Sequence, residues 1–161
     1  MFSGTPGNQV GVGYGDISPE VGVTGTPVID PATGTMYLVS KTVSGDGATF
    51  YQRLHALDIT SGAEKLGGPA NITGSVTYPG SGDGGATVSF NPQFQAQRPG
   101  LALVNGVIYI CWGSHEDNAP YYGWVMGFKA SDLSALSVLN VTPNVQYGGI
   151  WICLLYTSRC V

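Results

Sequence analysis

Polar chemistry in this 161-residue chain concentrates in one stretch, Ser114-His-Glu-Asp-Asn-Ala-Pro-Tyr-Tyr-Gly123. Oxygens of Glu116, Asp117 and Asn118 are hard donors of the kind Ca2+ takes, and the imidazole of His115 suits a transition metal. The same four side chains could instead line a ligand pocket. A third reading is a plain hairpin loop, with Asp and Asn making the turn and Pro ending it. The spacings fit no defined metal motif, so all three readings stay open. Tyr121, Tyr122 and Trp124 flank the loop, and their rings either stack on a sugar or quinone or pack in the core.

Other candidates resolve more simply. His55 alternates within a strand between Leu54 and Ala56 and reads as a satisfied core histidine. Cys111, between Ile110 and Trp112, reads as a small core residue. Gly11-Val-Gly-Tyr-Gly15 lacks the preceding strand and following helix that let a Gly-rich loop hold phosphate. No Ser-His-Asp order and no close carboxylate pair stands out, so no catalytic residue is assigned.

Loops of this kind need rigid elements to hold them. With 25 Gly, 10 Pro, 9 Tyr and only 10% charged residues, the chain has little material for long solvated helices. Gly, Thr, Val and Tyr suit short strands joined by tight turns. A net charge of -4 gives no basic footprint for nucleic acid. No run approaches the ~20 apolar residues of a membrane-spanning helix.

The strands can be read in order. Val28 and Ile29 form a first strand, Asp30-Pro-Ala-Thr-Gly34 a turn, and Met36-Tyr-Leu-Val39 a second strand, apolar throughout. Phe50 to Asp58 is a third, and a fourth is predicted from Ala63 to Leu66 after the turn Ile59-Thr-Ser-Gly62. A Gly-rich connection with one strand, Ala86 to Phe90, follows. The pattern then returns: apolar runs either side of Asn105-Gly106, a third strand over Gly123 to Phe128, and a fourth over Leu136 to Leu139. Superposing the units places Tyr37 on Tyr109 and Leu57 on Phe128, offsets of 72 and 71 positions.

A repeated four-stranded module predicts an all-β fold: about two antiparallel four-stranded blades of a β-propeller, partial and unclosed. The organisation is a loop or the end of a preceding blade over 1–22, blade 1 with its long connection over 23–97, and blade 2 over 98–147. A further blade starts at 148–152. Residues 153–161, Cys-Leu-Leu-Tyr-Thr-Ser-Arg-Cys-Val, read as a translated sequencing adapter. Back-translated, Cys-Leu-Leu-Tyr-Thr-Ser gives a transposon end used in short-read libraries, TGT CTC TTA TAC ACA TCT. The natural protein is therefore expected to continue past Ile152.

Ala56-Leu-Asp-Ile-Thr-Ser-Gly-Ala-Glu-Lys-Leu66 resembles the blade signature of the quinoprotein-type (PQQ-like repeat) β-propellers, in which a strand ends Ala-x-Asp and its turn ends in Gly. Gly25-Thr-Pro-Val-Ile-Asp, followed by Gly34-Thr-Met-Tyr-Leu-Val39, is similar to that family's preceding hairpin. The resemblance covers 23–66 and, more weakly, 100–142. It implies that Asp58, Thr60 and Gly62 are structural turn residues. The chain departs from the pattern at Leu66, where the family places a Trp, and at Lys129, where the second unit lacks the Asp. It looks like a divergent member.

The expected function is a binding or interaction scaffold, extracellular or periplasmic, with a protein or small-molecule ligand, no nucleic acid and no membrane span. No signal peptide is visible in the N-terminal residues. The alternative implied by the resemblance is a quinone-dependent dehydrogenase oxidising an alcohol or sugar, with PQQ and Ca2+ in a central channel. Two blades alone are expected to be inactive.

Overall fold

The computed structural model describes residues 5–6, 17 and 21–151. The Gly-rich run at 11–15 and the segment 153–161 lie outside them. The elements are β1 (Thr5–Pro6), β2 (Val28–Asp30), β3 (Thr35–Val43), β4 (Phe50–Asp58), β5 (Ala70–Ile72), β6 (Thr77–Pro79), β7 (Thr87–Ser89), β8 (Gln95–Ala96), β9 (Ala102–Val104), β10 (Val107–Ser114), β11 (Trp124–Lys129) and β12 (Ala135–Asn140). The described residues form no helix, and the fold is all-β with no closed sheet.

Two antiparallel sheets share one plan. In sheet 1 the order is β1-β3-β4-β5, with β2 also paired to β3. In sheet 2 it is β8-β10-β11-β12, with β9 also paired to β10. β6 and β7 form a separate hairpin between them in sequence. The registers agree residue by residue. Met36 lies opposite Leu57 and Tyr37 opposite Ala56. In sheet 2, Ile108 lies opposite Phe128 and Tyr109 opposite Gly127. The turns repeat too: Ile59 N donates to Gly34 O at 3.1 Å, and Ala130 N to Gly106 O at 2.8 Å. Gly62 N donates to Asp58 O, and Leu133 N to Lys129 O.

That last pair exposes a local compromise. Gly62 takes φ 73°, which costs glycine nothing, whereas Leu133 holds φ 60° at the same point of its turn. Leu133 is buried and belongs to the core, so burial of its side chain offsets the strained backbone. Asn105 and Gly106 both have positive φ, as a two-residue hairpin turn that matches strand twist requires.

Alternation assigns the faces. Tyr37, Val39, Leu54 and Ala56 form one face of sheet 1, called its front. They pack on Ile108, Ile110, Trp112, Trp124, Met126 and Phe128, the back of sheet 2. Phe90 wedges edge-on against Trp112 and Trp124, with centroids at 5.1 and 5.9 Å. Tyr37 Oη donates to Ala130 O at 2.9 Å and links the sheets at one end.

Two expectations need correcting, and short strands such as β8 had no sequence signal. The fourth strand of the first unit starts at Ala70, because Leu66 and Gly67 both turn the chain with positive φ, and only Glu64 bridges to Leu57. Cys111 is half-buried on the front of sheet 2, since it points away from its core neighbours Ile110 and Trp112. β8 was not foreseen: two residues carry no periodicity.

Candidate functional site

The loop after β10 is organised around its own groups. Ser114 Oγ donates to Asp117 Oδ1 at 2.7 Å, and Tyr121 Oη reaches the same oxygen at 3.4 Å. Asn118 Nδ2 donates to Glu116 O at 3.0 Å. Glu116 and Asp117 both hold positive φ. His115 is buried, and its backbone N donates to Phe94 O, tying the loop to the segment before β8. Among the described residues, no group of three or more His, Cys, Asp or Glu side chains converges on one point. His115 and Glu116, with Ser114 and Arg98, line a small cavity of about 120 Å3.

The flanking rings divide. Trp124 is fully buried in the core, and Tyr122 is nearly so, with its Oη donating to Asp83. Burial, then the Asp83 bond and charge, push the Tyr122 phenol well above its ordinary range. Tyr121 is also buried, and the exposed Tyr147 ring meets it edge-on at 5.7 Å. Burial, then the Asp117 charge, raise the Tyr121 phenol as well.

Asp58 closes its turn by accepting from Thr60 N at 3.0 Å and from Ser61 N and Oγ at 2.9 and 3.0 Å. The Ser61 bonds, chiefly, hold its carboxyl below the usual range. Thr60 contributes its backbone N–H, and Gly62 the positive φ.

Two polar constellations had no sequence signal. In the first, Lys41 lies buried at the seam, its Nζ donating to Gln93 O and, at 3.3 Å, to Gln95 O. Burial pulls its amine down to about 7, and the Glu116 carboxylate partly opposes that. Beside it, Gln52 Nε2 donates to Gln95 O at 2.7 Å. The Gln95 side chain in turn bonds the backbone of Gly113 and Tyr122.

The second constellation is on the back of sheet 1. Ser40 Oγ stands 2.8 Å from His55 Nε2, and His55 Nδ1 contacts the Glu64 carboxylate. This is the order nucleophile, base, acid of acyl-transfer enzymes. Residues 40, 55 and 64 come together only through β3–β4 pairing and the Leu57–Glu64 bridge, so their sequence order conceals them. Catalysis also demands access, and Ser40 is 0% exposed. One ring nitrogen of His55 thus meets the Glu64 carboxylate and the other the Ser40 hydroxyl. The arrangement therefore satisfies three buried or part-buried polar groups.

Two larger openings flank the sheet interface. One groove, of about 610 Å3, runs between β5 and β12 and is lined by Ile72, Val76, Met126, Phe128, Leu136 and Val138 among others. Another, of about 470 Å3, lies at the turns, near Asp30, Tyr37, Asn105 and Lys129.

No family model matches the chain, and comparison with curated proteins and with solved structures gives no match. What the geometry defines is an all-β chain of two antiparallel sheets on one repeated plan.

Proposed function

We propose that this chain is part of a secreted or periplasmic repeat scaffold of the β-propeller type, divergent from the PQQ-like repeat proteins, which binds a protein or small-molecule partner. The observation that carries the reading is the equivalence of the two sheets in strand order, register and turn hydrogen bonds. Units that pack the front of one on the back of the next build extended frameworks, and such frameworks serve mostly to present loops and grooves. The groove between β5 and β12 offers apolar walls edged by Asn71, Thr73 and Ser75, the mix that ligand sites use.

The Ser114–Asp117–Tyr121 bonds support a presenting loop more than a cation site, because Asp117 Oδ1 is already engaged by neighbours. Titration of the full-length protein, carrying all its repeat units, with PQQ and Ca2+, an electron-accepting dye and a panel of alcohols and sugars tests the reading. The expected result is neither stoichiometric quinone uptake nor substrate-dependent dye reduction. Stoichiometric uptake with dye reduction would overturn the scaffold in favour of a dehydrogenase.

A further inference from the structure

The front of sheet 2 repeats the front of sheet 1, but it is only partly covered. Register makes Tyr109 the counterpart of Tyr37, Cys111 of Val39, Val125 of Leu54, Gly127 of Ala56 and Leu139 of Ala70. Every pair is apolar or small. In sheet 1, Tyr37 and Val39 are 2% exposed and Leu54 and Ala56 0%, because sheet 2 covers them. In sheet 2, Tyr109 is 39% and Leu139 47% exposed, and Val104 on the same face 51%. A sheet face of this composition, solvated on one side of an otherwise packed pair, marks an interaction surface.

We propose that the front of sheet 2 is the seat of a third four-stranded unit following Trp151 on the same polypeptide. The inference rests on the repeat reading above and adds the surface, its occupant and its point of entry. Chain 148–151 already lies on that surface as the start of unit 2 lies on sheet 1. On sheet 1, the segment around Gln93 and Gln95 crosses Lys41 and takes its ammonium hydrogen bonds. Register makes Gly113 the counterpart of Lys41, and there Ile150 N donates to Trp112 O at 3.0 Å. The Trp151 ring closes over Gly113, so a methyl group at that position would come within 3.0 Å of it.

The occupant's chemistry follows from the existing interface. What covers the front of sheet 1 is a back face of Ile108, Ile110, Trp112, Trp124, Met126 and Phe128. The third unit presents a comparable aliphatic and aromatic back. The back of sheet 1 in a second copy does not, since it carries Ser40 and His55 where sheet 2 carries Trp112 and Met126.

The test begins with a long read of the source locus across codon 152. The expected frame continues past Ile152 with strand–turn–strand units. The extended chain is then expressed beside the 161-residue chain, and alkylation of Cys111 by iodoacetamide is followed by peptide mapping. Cys111 sits on the seat, and its labelling is expected to slow at least ten-fold in the extended chain. A locus that stops after Val161 overturns the proposed occupant and leaves the two-sheet repeat intact. A frame that continues without such units overturns both the occupant and the propeller-type scaffold. Repeats with unchanged Cys111 labelling overturn the seat alone.

Discussion

Trp112 Nε1 donates to Gln52 Oε1 at 2.6 Å, a buried hydrogen bond that crosses from the back of one sheet to the front of the other. Gln52 passes the connection on through Nε2 to Gln95 O, and Lys41 reaches the same carbonyl. Apolar faces slide with little penalty. A directional bond between two fully buried side chains fixes how the sheets are set on each other.

Trp112 and Trp124 provide a matched test. Both are fully buried, yet among the described residues Trp124 Nε1 has no hydrogen-bond partner. Trp112→Phe orphans Gln52 Oε1 and is expected to lower stability by about 1–3 kcal/mol more than Trp124→Phe. Urea unfolding of both variants measures the difference. Equal losses would mean the link contributes nothing beyond packing.

Lys41 makes stability depend on pH. Its folded amine titrates near 7, against an ordinary value of 10.5. Between those values the unfolded chain holds a proton that the folded one has released, so stability rises with pH, by up to about 1.4 kcal/mol per unit. Below about 7 that contribution is lost. Melts from pH 7 to 9, beneath the range where the burial-raised Cys111 thiol ionises, are expected to show the rise. Lys41→Met is expected to flatten it.

Ser40 is expected to be inert to chemistry and costly to remove. A fluorophosphonate probe leaves it unlabelled in the folded chain, because it is wholly buried. Ser40→Ala removes a buried hydrogen bond to His55 Nε2 and is expected to cost about 1–3 kcal/mol. Mass spectrometry locates any label, and rapid modification of Ser40 would reinstate the acyl-transfer reading.

Gly106 and Leu133 test backbone conformation from opposite sides. Gly106 holds φ 74° with open space where a Cβ would stand, so Gly106→Ala meets backbone strain alone, about 1–2 kcal/mol. Leu133→Gly relieves strain yet empties a core position, and is expected to be the worse change. Thermal melts rank the two. A more stable Leu133→Gly variant would show that strain outweighs burial there.

Much of the plan was legible because it is local. Asp30-Pro-Ala-Thr-Gly34 and Asn105-Gly106 announce their turns, and the strands on either side alternate or run apolar. The offsets of 72 and 71 survive because strand register carries them: one slipped residue would have turned every side chain to the other face. The polar seam was not legible. Lys41, Gln52 and Gln95 lie far apart in sequence, and their meeting depends on how two sheets pack. His55 was placed in the core, as the structure has it, but nothing nearby in sequence announced Ser40 and Glu64 as its partners. The loop at 114–123 was visible as polar, while the bonds within it depend on positive φ at Glu116 and Asp117, which composition does not reveal.

The backs of the two sheets are not interchangeable. Sheet 2 offers Trp112 and Met126 where sheet 1 offers Ser40 and His55, both already buried and hydrogen-bonded. The two backs therefore suit different neighbours, an apolar face for Trp112 and Met126 and a surface that leaves the Ser40–His55 bond intact for the other.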